Sequence, residues 1–253
     1  MLVEERRTAI LNLLREHGKV RVKDLSRRFQ TSEVTIRNDL KELHQRGLVH
    51  KAHGGAMPVA TVSVEPSLQE RFLSHAEEKR RIGAAAAALI NDGETIILDS
   101  GSTTQEIARR LKGKQNLQVI TNGVNIAMEL VGVRGIQVIL LGGVLRDNSF
   151  SIVGHFAEDM LDHLSADKLF IAADGCDLDF GLSTPNLEES RVNQAMVRIA
   201  REKIVVADSS KFGKTSLSRI ASLSEMNKVI TDEGLPEIFR AEIQARGLEL
   251  ILV

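Results

Sequence analysis

Two sets of residues in this chain have types and spacings that could do chemistry. The first runs from Ser32 to Arg46. On a helix, Ile36, Leu40 and Leu43 fall at i, i+4 and i+7 and make one apolar stripe. That leaves Val34, Asn38, Lys41 and Gln45 on the opposite side, with Thr35 and Arg37 at its flanks. Such a face suits the major groove of duplex DNA. Asn38 can bond base edges and Val34 can meet a thymine methyl. Thr35, Arg37 and Lys41 can hold phosphates, and Arg37 can also take a guanine. Ser32 is a candidate N-cap. The same spacing also describes a plain helical hairpin with a solvated face.

The second set is a series of polar turns, each following a short apolar run. They are Asp99-Ser100-Gly101-Ser102-Thr103-Thr104, Thr121-Asn122-Gly123, Gly142-Gly143, Asp174-Gly175, Asp208-Ser209-Ser210-Lys211 and Thr231-Asp232. The first leads into a helix, so its hydroxyls and free N–H groups would face an anion, with phosphate the natural candidate. Lys211 would add a full positive charge, and Asp99, Asp174 and Asp208 would accept hydrogen bonds from sugar hydroxyls. Taken singly, a Gly/Ser/Thr turn before a helix is ordinary turn and cap chemistry. Glu188 and Glu189 open a later helix, where acids are favourable anyway, and read as structural.

The elements that must hold these residues follow from periodicity. Glu4 to His17 reads as an amphipathic helix with Ile10, Leu13 and Leu14 inward, and Val22 to Phe29 as a second one. With the Ser32–Arg46 helix they form a three-helix unit, followed by a hairpin or wing at 48–55 whose Lys51 and His53 would lie along a DNA backbone. Between residues 58 and 74 the pattern lapses, and Pro58 and Pro66 stand there. We expect domains at 1–57 and 75–253 joined by that linker. A helix is expected over Glu77–Asn91, its Ala84–Ala88 centre small enough for close packing. Beyond it, apolar runs Thr95–Leu98, Leu117–Ile120, Ile136–Leu141, Leu169–Ala173, Ile204–Ala207, Lys228–Ile230 and Leu248–Leu252 alternate with helical spacing. This alternation predicts an α/β domain, a mostly parallel sheet with helices on both faces. Its polar turns would then gather at one edge, where open α/β folds bind ligands.

Overall charge balance conceals an asymmetry. Residues 1–57 hold twelve Lys+Arg against seven Asp+Glu, leaving 21 against 27 in 58–253, a basic head on an acidic body that fits contact of the head with nucleic acid. Trp and Tyr are absent, which argues against aromatic stacking on single strands. No apolar run approaches the roughly 18–20 residues of a membrane helix, and the start, Met-Leu-Val-Glu-Glu-Arg-Arg, does not read as a secretory signal. Cys176 stands alone, so a disulfide within the chain is excluded and a cytoplasmic setting is expected. It reads as a small packing residue. No Cys/His set has zinc spacing, and neither a metal nor a cofactor is expected.

The pattern Ser32-x-x-Thr35-Ile36-Arg37-x-Asp39-Leu40 followed by His53-Gly54-Gly55-Ala56 resembles the DeoR family of bacterial transcriptional regulators. The strand-end turns named above, with Phe212-Gly213 and Ile230 added, are similar to that family's sensor domain in the same order. The resemblance spans essentially the whole chain. It implies a winged helix-turn-helix head, a body resembling the sugar-phosphate isomerase fold, and repression of a sugar-catabolic operon relieved by a phosphorylated sugar. It also implies a homodimer or homotetramer on double-stranded operator DNA. Carried over by position, Ser32, Val34, Thr35, Arg37, Asn38, Lys41, Lys51 and His53 are the DNA-binding candidates. The effector candidates are Asp99, Ser100, Gly101, Ser102, Thr103, Thr104, Thr121, Asn122, Asp174, Asp208 and Lys211. Asn38 stands where the family often has Arg, and Asn193 where it often has Lys. Residues 174–196 resemble members serving hexitol and amino-sugar pathways.

The competing expectation is a sugar-phosphate isomerase or deaminase with a DNA-binding head, because Asp174-Gly175-Cys176-Asp177 and Ala207-Asp208-Ser209-Ser210-Lys211 resemble segments of ribose-phosphate isomerases. Proton transfer between adjacent carbons needs a carboxylate base and a cation to steady the enediolate. Glu189 and Lys211 would have to serve, since nothing between Leu169 and Ser190 is basic. A third reading, a DNA-binding scaffold without a ligand, leaves the polar strand ends unexplained.

Overall fold

A computed structural model describes residues 3–17, 20–45, 48–52, 54–58 and 65–253, with backbone alone at 4, 15–17, 45, 50–52, 57 and 58. The chain divides into two compact units, Met1–Val64 and Glu65–Val253.

The first unit contains α1 (Val3–His17), β1 (Val20–Arg21), α2 (Val22–Arg28), α3 (Glu33–Gln45), β2 (Val49–Ala52) and β3 (Gly55–Pro58). The apolar stripes expected from spacing meet in one core of Ile10, Leu13, Leu14, Val22, Leu25, Ile36, Leu40 and Leu43, closed by Val49 and Ala56. The three strands form an antiparallel wing in the order β1-β3-β2. Close approach of β1 to β3 explains Gly55, where a Cβ would sit 2.0 Å from the Val20 carbonyl oxygen. Beside it the Val22 N–H donates to the Gly54 carbonyl at 2.9 Å. A buried ion cluster ties the first helix to the third. Arg6 Nε donates to Asp39 Oδ2 at 2.6 Å and Arg7 Nε to Asp39 Oδ1 at 3.2 Å. Asp39 is buried, so loss of its cations would leave an uncompensated charge.

The second unit begins earlier than expected. Residues 65–74, anticipated as linker, are folded, and α4 (Leu68–Leu73) starts at a Ser67–Glu70 capping box with Leu68 buried beneath it. Asn148 anchors the segment, its side chain donating to the Glu65 carbonyl and its own carbonyl accepting from the Leu68 N–H, both at 2.8 Å. A six-residue helix is too short for its period to show against Pro66. Residues 59–64 lie outside the described residues.

There follow α5 (Ala76–Ala88), β4 (Thr95–Leu98), α6 (Ser102–Ala108), β5 (Leu117–Thr121), α7 (Val124–Leu130), β6 (Ile136–Leu140) and the hairpin β7 (Val144–Arg146) and β8 (Ser151–Val153). Then come α8 (His155–Asp162), β9 (Ala166–Ile171), β10 (Gly175–Asp177), β11 (Gly181–Thr184), α9 (Leu187–Ile199), β12 (Ala200–Val206), β13 (Ser218–Ala221), β14 (Lys228–Thr231), α10 (Glu237–Ala245) and β15 (Glu249–Leu252). All seven expected runs became strands of one sheet, ordered β15-β14-β12-β9-β4-β5-β6, with every pairing parallel. Alternate residues feed two cores. Ile97, Leu169, Ile171 and Val205 pack with α8, α9 and α10, whereas Ile96, Leu98, Phe170, Ile204 and Val206 pack with α5, α6 and α7. From β4 the chain runs outward through β5 and β6, then returns to lay β9 on the other side of β4. That reversal opens a crevice at the carboxyl ends of the central strands.

Candidate functional site

In the head, α3 presents the face that the spacing anticipates. Val34 is 63% exposed, Arg37, Asn38 and Lys41 are exposed, and Ile36, Leu40 and Leu43 are buried behind them. Ser32 caps the helix, its Oγ accepting from the Thr35 N–H at 3.1 Å and bonding the Thr35 hydroxyl at 2.9 Å. Arg37 rests on Glu33 at 2.6 Å, an exposed i,i+4 pair. The Lys51 side chain and His53 lie outside the described residues.

In the second unit a cleft occupies the crevice between β4 and β9 and continues to the end of β12. Ser100, Gly101, Ser102 and Thr103 line it, with Asp99, Asp174, Asp208 and Lys211. Three expected residues do not. Thr121 is fully buried, its hydroxyl accepting from the Gly123 N–H at 3.0 Å. Asn122 is also fully buried and holds the loop after β4, its Oδ1 accepting from the Ser100 N–H at 3.0 Å. Thr104 turns its hydroxyl back to the Gly101 carbonyl at 3.3 Å. For Thr121 and Asn122 the cause is strand order: β4, β9 and β12 are contiguous in the middle of the sheet, so their ends meet, while the turns after β5 and β14 brace their neighbours. Asp232 is one such brace, accepting from the Ser209 N–H at 2.6 Å.

Five further polar liners, Arg71, Lys79, Thr184, Glu189 and Asn193, arrive from α4, α5, β11 and α9; of these the sequence singles out only Glu189, read as structural or as the base of the isomerase alternative, and Asn193, through the family resemblance. They come from outside the strand-end turns. Lys79 is buried and donates to the carbonyls of Arg71 and Ser74. Burial first, with Lys211 and Arg71 adding to it against Asp208, lowers its pKa to about 8. Asp99 is buried with Glu189 and Asp174 nearby, and desolvation, reinforced by those charges, holds its carboxyl well above the usual carboxylate range. Glu189 is also raised by burial, against the opposing charge of Arg146. Arg146 donates to Glu189 at 2.8 Å and pairs with Glu65, which accepts from Arg71 at 2.9 Å, and Arg71 lies 3.4 Å from Asp174. Thr184 donates to Glu189 Oε2 at 3.2 Å.

Two oxygens in this cleft have no partner. Asn193 Oδ1 and Asp208 Oδ2 are buried and unbonded, although both residues line it. An orphan acceptor of this kind costs about 1–3 kcal/mol, which a donor on a bound molecule would offset. Lys211 enters no ion pair among the described residues and supplies free positive charge. The cleft therefore offers cations and N–H groups to an anion and acceptors to hydroxyls. Cys176, in the middle of β10, is fully buried, and burial pushes its thiol up to about 12, an inert packing group.

A winged helix-turn-helix head with an exposed polar face, followed by an α/β unit with a polar crevice at its topological switch point, defines a two-domain DNA-binding regulator. Residues 6–61 match the DeoR-like helix-turn-helix domain and residues 74–233 the DeoR C-terminal sensor domain. The chain belongs to the DeoR family of transcriptional regulators. It is 41% identical over 251 residues to a protein of Escherichia coli O157:H7 named as a transcriptional repressor of the aga operon, covering 98% of this chain and 93% of that one. It is 36% identical over 251 residues to the HTH-type transcriptional regulator GlpR of Haloferax volcanii, covering 99% and 98%. Among solved structures, ribose-5-phosphate isomerase of Methanocaldococcus jannaschii overlaps 55% of each chain at 20% identity and a TM-score of 0.42.

Proposed function

We propose that this regulator represses a sugar-catabolic operon and is released from its operator by a phosphorylated sugar bound in the β4–β9 crevice. The observation that carries the reading is the pairing, in one cleft, of cationic Lys211 with the unbonded acceptors Asn193 Oδ1 and Asp208 Oδ2. A phosphate suits Lys211 and the hydroxyls and N–H groups of Ser102 and Thr103, and sugar hydroxyls suit the acceptors. Helix α3 enters the major groove, where Arg37, Asn38 and Val34 meet base edges and Lys41 holds phosphate. Two copies read paired half-sites.

Release requires that the effector bind the non-DNA-binding arrangement more tightly, by about 5.5 kcal/mol for a swing from 1:99 to 99:1. Arg71 supplies a route. It lines the cleft while pairing with Glu65 at the start of the second unit, so an anion that draws Arg71 away loosens the hold on Glu65 and leaves it to Arg146.

The test is a mobility shift of the full chain on its own upstream intergenic DNA, at fixed salt, across a panel of sugar phosphates. Release by one of them supports both halves of the reading, and binding that none disturbs would overturn the effector half. An isomerase reading needs Glu189 as base and Lys211 as cation, but Glu189 Oε2 is committed to Arg146 and Thr184. Conversion of pentose or amino-sugar phosphates followed by NMR, and abolished by Glu189→Gln, would establish that alternative.

A further inference from the structure

Building on the sugar-phosphate reading of the cleft, we propose that Asn193 and Asp208 set its specificity. Each accepts a hydrogen bond from a hydroxyl of the ligand, so the effector is a sugar phosphate hydroxylated at both positions, and its deoxy counterparts are excluded.

Most other acid oxygens in the cleft already have donors. Asp99 Oδ2 accepts from the Ala172 N–H at 3.3 Å, Asp174 Oδ1 pairs with Arg71 at 3.4 Å, and Glu189 Oε2 accepts from Arg146 and Thr184. Asn193 Oδ1 and Asp208 Oδ2 do not, although the two residues are 3% and 1% exposed. They come from different elements, the middle of α9 and the turn after β12. Asp208 is also fixed in place, because its Oδ1 caps the following turn by accepting from the Ser210 N–H at 3.2 Å and from the Ser210 hydroxyl. The carboxylate cannot swing its second oxygen to solvent without losing that cap.

Both orphans are acceptors, so what fills the cleft must donate to them. A phosphate dianion has no proton to give and is repelled by the Asp208 charge. The anionic end of the ligand therefore turns toward Lys211, Ser102 and Thr103, and the hydroxylated end toward α9. A carbonyl oxygen has no proton either, whereas a hydroxyl has one. A ligand lacking that hydroxyl would leave the buried acceptor bare and forgo the hydrogen bond, and sites built to bond a hydroxyl reject the analogue without it far more strongly than apolar pockets reject a missing methylene.

The experiment is calorimetric titration of the full chain with pentose, hexose and hexitol phosphates, the same sugars without phosphate, and the monodeoxy series of the tightest binder. Two positions should stand out, at which deoxygenation weakens binding by about tenfold or more. Asn193→Leu should abolish one of these penalties and Asp208→Asn, which replaces the orphan acceptor with a donor, the other. Asn193→Asp, which keeps an acceptor at Oδ1, should retain its penalty and guards against a folding defect. Deoxy ligands that bind as well as their parents, or penalties unchanged in both variants, would overturn the proposal. Unphosphorylated sugars that bind equally well with the same two penalties would leave it standing and remove the phosphate reading. Binding by no sugar in the panel would overturn both.

Discussion

Arg37 shows how little a contact in the free protein says about its role. Its guanidinium sits 2.6 Å from Glu33, but the pair is exposed and such pairs contribute little, so the side chain is available to a groove. Arg37→Ala should weaken operator binding by about 1–3 kcal/mol, and Lys41→Ala should lower the slope of log affinity against log salt by about one, both read by titration at several salt concentrations. Unchanged affinity and slope in both variants would remove α3 from the groove. Asp99 makes the opposite case, a group whose environment determines its state. Its raised pKa means that the folded chain holds a proton the unfolded chain releases, so stability falls as pH climbs from about 4 through the folded value. Asp99→Asn keeps an acceptor for the Ala172 N–H and removes that loss. Its melting temperature at pH 7 should exceed that of the parent, and the difference should vanish toward pH 4. A lower melting temperature at pH 7 would show that the charged carboxylate is required. At this scale the Asp99–Thr103 turn was legible, but the raised pKa of Asp99 was not, because it depends first on burial in the folded unit and then on Glu189, 90 residues further along the chain.

At the scale of elements, small residues decide which surfaces can meet. Gly83 of α5 lies so close to α6 that a Cβ would stand 2.6 Å from the Glu106 Cβ. Composition pointed to Ala84–Ala88 for close packing, and Ala86 and Ala87 are indeed buried in the core. Composition marks the helix as slender, but only its orientation on the sheet selects Gly83 as the residue nearest α6. Gly55 performs the same service between β1 and β3, and there the neighbour is backbone, which cannot step aside. Gly55→Ala should therefore destabilise the head by about 1–3 kcal/mol or more. In calorimetry the head should melt earlier, with operator binding weakened and sugar-phosphate binding unchanged. A head that melts at the parent temperature would mean that the wing relaxes around the added methyl. Strand β1 itself, two residues long, was invisible to periodicity.

For the molecule as a whole, the proposed release requires that an event in the cleft be communicated to the head. The ion network Arg146–Glu65–Arg71–Asp174 joins the first residue of the second unit to the cleft lining. Couplings of this kind are typically worth about 1–3 kcal/mol, or 5- to 150-fold in affinity. Glu65→Gln should leave operator binding intact, tighten effector binding by freeing Arg71, and bring the ratio of operator affinities without and with effector close to one. Measuring both affinities in the presence and absence of the effector checks this directly. A ratio equal to that of the parent would place the coupling elsewhere.

By itself the sequence determined the elements and their chemistry: three head helices with one buried stripe each, seven strands in alternation with helices, a basic head and an acidic body. These properties are local, written in periods of 3.6 and 2 and in the residues that open and close each run. Tertiary structure decided which strand ends are neighbours. The order β12-β9-β4 brought Asp208, Asp174 and Asp99 into one crevice and left Thr121 and Asn122 behind as braces, and it drew in Arg71, Lys79 and Asn193 from helices that carry no turn signal. Strand order is set by crossovers and by packing of whole faces, so residues far apart in sequence become one site only when the sheet closes around its switch point.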